Sequence, residues 1–162
     1  MAVTATADAV SILPLNRACK KYSGFPDLRC YHWSHAGTAA TGDVGYLTSK
    51  TQTVAEKAVL DLILAKIEWI PDANVAGGGK AALNFMWNGQ EALTFVGDAD
   101  MPYIAQAGLV YNNVATFVLP DLGWGMDEDD VLYMYNSIVN NYGNTANVTV
   151  HWDLWLYLHE VK

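Results

Sequence analysis

Three groups of residues have the types to do chemistry, and each lacks the spacing that its chemistry requires. Gly77-Gly78-Gly79-Lys80 has the ending of a phosphate loop. Such a loop also needs a Gly five positions before the Gly-Lys pair and a Ser or Thr after it, to cradle phosphate and metal. Asn74 and Ala81 stand at those places, so nucleotide binding is not expected. His32 and His35 lie either side of Trp33, and His151 and His159 fall on one face of an extended segment. A metal needs three or four converging ligands, and no Cys-x-x-Cys or His-Glu-x-x-His is present to supply them. Hydrogen-bonded or exposed histidines are expected instead. Asp127-Glu128-Asp129-Asp130 is a run of carboxylates, with Asp98 and Asp100 in another loop. The D-x-D-x-D-G spacing of a calcium loop is missing, which leaves a solvated acidic loop that discourages strand pairing at an edge. No Ser sits in a G-x-S-x-G elbow. The expectation is a chain with no catalytic residue, no metal and no cofactor: not an enzyme.

What the sequence has in surplus is aromatic surface. Trp87, Trp124, Tyr133, Tyr135, Trp155 and Tyr157 cannot easily all point inward together with Trp152 and its neighbouring leucines. Exposed rings on a β-sandwich serve as a protein interface or as a platform for sugar rings. Trp124, Tyr133, Tyr135, Trp155 and Tyr157 are the candidate interface residues.

The element that must position them is the last one. From Val148, every second residue is large and apolar (Val148, Val150, Trp152, Leu154, Leu156, Leu158), while the other face begins Thr149, His151, Asp153. A period of two over eleven residues marks a long strand with one face in a core. Its second face turns aromatic at Trp155 and Tyr157, so it must be covered by more of this chain or by another chain.

Upstream, Asn88-Gly89 between two apolar runs is a strong hairpin signal. Val114–Leu119 and Val131–Val139 read as strands, Gly45–Ser49 and Tyr103–Tyr111 as further ones, and Cys30–Trp33 as a short one. Ser34–Gly45 has loop composition, and Asp121–Asp130 is an acidic, Gly-bearing loop. Residues 53–70 fit two templates. Thr53 with Glu56 forms a capping-box pattern for a helix, whereas Ile63, Ala65, Ile67 and Trp69 alternate as in a strand. The strand is favoured because everything downstream is β. The expected fold is all-β: an antiparallel β-sandwich of jelly-roll type with 8–10 strands. Residues 1–15 form an extended N-terminal arm and 16–162 a single domain.

The totals agree with a folded body. The chain has 162 residues, 52% hydrophobic and only 16% charged, with six Trp and nine Tyr. Low charge with many aromatics fits a surface partly hidden in an assembly. A net charge of −8 argues against nucleic acid as a direct partner. Charge is uneven: residues 1–57 carry six basic and four acidic side chains, and the rest carry three and thirteen. The opening M-A-V-T-A-T-A-D-A-V has no basic start and no apolar core, so secretion by signal peptide is not expected. No run is long enough for a membrane helix. Cys19 and Cys30 are expected as free thiols.

The second half resembles the jelly-roll structural proteins of virus and phage particles. The likeness lies in the strand end Ile67-Glu68-Trp69-Ile70-Pro71 and the turn Leu119-Pro120-Asp121-Leu122-Gly123-Trp124. It continues in Val131-Leu132-Tyr133-Met134-Tyr135-Asn136 and the long final strand, across residues 58–162. The resemblance implies a non-enzymatic capsid or capsid-decorating subunit in the virion, with itself (trimer or larger) and other shell proteins as partners. The alternatives are a carbohydrate-binding, lectin-like module with a glycan partner and a small cupin-like enzyme.

Overall fold

The computed structural model describes residues 4–14, 28–71, 79–98, 113–140 and 147–161. All regular structure among them is extended. The strands are β1 (Thr4–Pro14), β2 (Leu28–Ala39), β3 (Val44–Thr48), β4 (Gln52–Thr53), β5 (Ala58–Pro71) and β6 (Gly79–Trp87). They continue as β7 (Gln90–Asp98), β8 (Asn113–Leu119), β9 (Trp124–Met126), β10 (Val131–Asn140) and β11 (Val148–Glu160).

Two antiparallel sheets form. Sheet A has the order β1-β2-β11-β5-β8, with the short β9 also on β5, and sheet B has β3-β10-β6-β7, with β4 also on β10. Sequence partners nest from the outside in: β2 pairs with β11, β3 with β10, β5 with β8 and β6 with β7. That is the winding of a jelly roll. Residues 53–70 resolve as strand: β5 spans fourteen residues and alternates buried and half-buried, because Leu60, Ile63, Ala65, Ile67 and Trp69 face the other sheet. Thr53 caps no helix and belongs to β4.

The core lies between the sheets. Trp33 of β2 and Trp152 of β11 meet Phe85 and Leu83 of β6 and Met134 and Ile138 of β10, all fully buried. Trp33 Nε1 donates to Lys50 O at 2.8 Å, tying the turn after β3 to sheet A.

Three details differ from the sequence expectation. β2 does not stop at Trp33 but runs to Ala39, through a stretch of loop-like composition. Gly37 is a packing requirement there: a Cβ on it would stand 2.4 Å from Leu47 and 3.2 Å from Trp152, and the bulk of Trp152 takes the space. The loop Asp121–Asp130 contains β9, whose Trp124 is opposite Leu60. Thr4–Pro14, expected as an arm, is extended and pairs with β2 along the edge of sheet A. The Asn88-Gly89 hairpin forms as expected, with φ of 50° and 78°, the left-handed pair that matches strand twist. The strand expected at Tyr103–Tyr111 and Cys19 lie outside the described residues.

Candidate functional site

Strand parity gives each sheet one outer face, and the two faces differ in chemistry. On sheet A the outer positions of β11 are Thr149, His151, Asp153, Trp155, Tyr157 and His159, all half-buried. Register sets them beside Thr38, Ser34, His32 and Cys30 of β2 and beside Glu68, Lys66, Leu64 and Leu62 of β5. Polar groups here are tied to one another. His32 Nε2 lies 2.9 Å from Asp153 Oδ1, and His159 Nδ1 2.5 Å from Asp61 Oδ2. Lys66 Nζ donates to Glu68 Oε2 at 3.1 Å, and the Thr38 and Thr149 hydroxyls are 2.9 Å apart. The Trp155 ring stands parallel to His32 with centroids 4.6 Å apart, so one of its faces is already occupied. Cys30, between Tyr157 and the edge strand, is free and buried. Burial pushes its thiol above the ordinary value, against a smaller opposite pull from its hydrogen bond with Tyr157.

Sheet B presents an outer face with fewer such ties: the Thr94 hydroxyl lies 2.7 Å from Asn84 Oδ1 and 2.5 Å from Glu91 Oε1, and Asn84 Nδ2 donates to Tyr135 O at 2.9 Å. Across its four strands the positions form rows: Tyr133–Met86–Glu91, Thr48–Tyr135–Asn84–Thr94, Tyr46–Ser137–Ala82–Val96, and Val44–Val139–Lys80–Asp98. The two middle rows contain no ionisable group other than tyrosine. Tyr46 is 64% exposed, Val44 52% and Val96 49%. Tyr46 and Tyr135 stack at 5.9 Å with planes 5° apart, which holds two rings side by side on the surface.

The candidate interface residues are therefore not one cluster. Tyr133 and Tyr135 lie on the outer face of sheet B, and Trp155 and Tyr157 on that of sheet A. Trp124 is on neither: it points inward at the end of the sandwich, packed on the core and stacked at 6.4 Å on Trp87. Sequence reasoning missed Val44, Tyr46 and Val96 on sheet B and the His32–Asp153 pair on sheet A. The alternation Val44-x-Tyr46-x-Thr48 was the available signal for the first two. Nothing local signals the pair, which forms across 121 positions of sequence.

The acidic run closes one end of sheet B. Asp130 binds the hairpin tip: Asn88 Nδ2 donates to Asp130 Oδ1 at 2.7 Å, and the backbone N–H of Asp127 to Asp130 Oδ2 at 2.9 Å. Partial burial raises the Asp130 carboxyl's pKa. The hydrogen bonds from Asn88, Asp127 and Trp87 pull the other way and hold it below the ordinary value. Among the described residues, no three His, Cys, Asp or Glu side chains converge as metal ligands.

No protein-family model matches this chain, and no curated protein matches it in sequence. Solved structures share its form loosely. TmCBM61 in complex with beta-1,4-galactotriose is 9% identical, with a TM-score of 0.37 over 98% of this chain and 88% of that one. A chain of infectious bursal disease virus Gx strain is 12% identical, with a TM-score of 0.38 over 82% of this chain. This chain spans 36% of the length of that viral chain. At those scores the likeness has no bearing on function.

Proposed function

We propose that this chain is a non-enzymatic structural subunit of a virus or phage particle, a capsid or capsid-decorating protein of the virion. In this reading it works by assembling with copies of itself, as a trimer or larger, and with other shell proteins. The observation that supports it is the outer face of sheet B, whose middle rows are uncharged and carry two stacked tyrosines, with Tyr46 and Val96 exposed. Exposed apolar surface of that kind on a folded domain marks a contact with another macromolecule. The N-terminal edge strand β1 supplies a second contact. Multi-angle light scattering and negative-stain microscopy of the purified chain test the reading. Oligomers that shrink when residues 1–12 are deleted are expected. A monodisperse monomer at every concentration, indifferent to that deletion, overturns it.

A second reading, a carbohydrate-binding module, draws on sheet A, where the His32–Asp153 pair lies beside Trp155 and the Lys66–Glu68 pair lies further along the same face. The stacking of His32 on Trp155 counts against it, because a sugar platform needs an open ring face. Quenching of Trp fluorescence by a panel of neutral oligosaccharides supports this second reading, and silence across the panel removes it.

A further inference from the structure

The relief and the charge of the sheet B outer face fit a second copy of the same face. We infer that two copies stack sheet B on sheet B about a two-fold axis that crosses the strands between the Tyr135 and Ser137 rows. This deepens the assembly reading above and rests on it.

Four features of the face point this way. First, adjacent rows complement each other in size. The Tyr135 row holds Tyr135 and Asn84 in its two central columns, and the Ser137 row holds Ser137 and Ala82 in the same columns. An axis across the strands inverts their direction and keeps each column in place. Tyr135 of one copy then sits over Ser137 of the partner, and Asn84 over the partner's Ala82. A self-complementary patch of this kind is what an isologous contact requires.

Second, charge favours this orientation over a parallel one. Asp127, Glu128, Asp129 and Asp130 lead directly into β10 at Val131, and Lys80 lies opposite Val139 near its far end. Antiparallel stacking carries the two acidic ends of a −8 chain to opposite edges of the contact. The charged outer rows then meet at the margin of the contact, where the Asp98 position faces the partner's Glu91 and Lys80 stands one strand away from both.

Third, the middle of the face is where two acidic copies can meet without opposing carboxylates. The outer face of sheet A offers no such area, since Asp61, Asp153 and Glu68 are spread along it.

Fourth, the area is sufficient. Four strands at ~4.8 Å spacing and about nine residues at ~3.3 Å each give a flat area on the order of 500 Å² per copy, and side-chain relief adds to it. Two copies together reach roughly 1,000 Å², the lower bound for a specific contact. A reversible dimer that becomes permanent only when other contacts add to it is the expected behaviour.

Sedimentation velocity over a concentration series of the full chain tests this, with near-ultraviolet circular dichroism to verify packing. Ser137→Tyr puts a ring where the partner's Tyr135 must sit and is expected to weaken self-association at least tenfold. The swap Tyr135→Ser/Ser137→Tyr restores large against small and is expected to recover most of it. Ala82→Lys, which puts a long charged side chain on the outer face, serves as the second disrupting variant if Ser137→Tyr does not pack. Self-association untouched by Ser137→Tyr and by Ala82→Lys overturns the sheet B contact and leaves the shell reading standing. Loss with Ser137→Tyr that the swap fails to recover overturns the two-fold register. A wild-type chain that stays monomeric throughout overturns both this contact and the reading on which it rests.

Discussion

The two outer faces of this sandwich are built from strands of similar length and similar alternation, yet they have solved the problem of exposure in opposite ways. On sheet A the side chains are engaged with one another: His32 with Asp153 and Trp155, Lys66 with Glu68, His159 with Asp61. Along β2 and β11 they are covered within the single chain, down to the buried Cys30, and among the described residues of this face exposed large apolar side chains are confined to Val114 and Val118 on β8. On sheet B the central positions are tyrosine, valine, serine, threonine, alanine and asparagine; Asn84 is tied to Thr94, while Tyr46 and Val96 are left open. The difference teaches that aromatic content by itself does not mark an interface. A ring already stacked and hydrogen-bonded at home has little to offer a partner, whereas Tyr46 and Tyr135, stacked only on each other at the surface, do.

The largest expected effect removes both faces at once. Gly37 faces Leu47 of sheet B and the Trp152 ring, so Gly37→Val must displace the Leu47 side chain and crowd Trp152 between the sheets. A loss of about 3 kcal/mol or more is expected from such overpacking, visible as a lower urea midpoint; an unchanged midpoint would show that the two sheets are not in close contact there.

Next comes a matched pair of charges. Val96→Lys on sheet B and Val118→Lys at the edge of sheet A start from similarly exposed valines, and each should alter stability by less than about 0.5 kcal/mol. Only Val96→Lys should weaken self-association, by roughly tenfold, equivalent to about 1.4 kcal/mol. Equal effects from the two would erase the distinction between the faces.

His32→Ala tests the closed character of sheet A. It leaves Asp153 without its imidazole and uncovers one face of Trp155, at a cost of about 1 kcal/mol in stability. Red-shifted tryptophan emission with unaltered self-association is the expected pair of readouts. A change in sedimentation with this variant would bring sheet A into the contact.

The smallest effect concerns the acidic end. The folded Asp130 carboxyl is held below its ordinary value of 3.8. Its contribution is therefore present above the unfolded pKa and lost as pH falls through the folded one. Between about pH 5 and about pH 3, wild type should lose slightly more thermal stability than Asp130→Asn, which has no such proton to take up. Parallel pH profiles would mean that the Asn88–Asp130 contact does not hold the hairpin tip in solution.

Much of the architecture was readable before any coordinates. The alternation Val148 to Leu158 named its own inner face, and Asn88-Gly89 named a hairpin, because both signals are local: side-chain parity and left-handed φ. Residues 53–70 needed the β context downstream to be read correctly. The stretch Ser34–Ala39 resisted reading, since Gly37 is required there by what lies above it, Trp152 and Leu47, and those neighbours are distant in sequence. The surroundings of Trp124 were hidden for the same reason: a tryptophan in an acidic loop looks exposed until β9 sets it, half-buried, opposite Leu60 and against Trp87.

By itself, then, the sequence determined that this protein is a β-sandwich and which residues of each strand share a side, since parity is a property of the extended chain. It also put Tyr133 with Tyr135, and Trp155 with Tyr157. Only the tertiary structure decided that those two pairs stand on opposite surfaces, because β10 and β11 join different sheets through strand pairings made over long separations. Which surface is closed and which is open followed from that choice, as the partners of each ring come from neighbouring strands and not from its own.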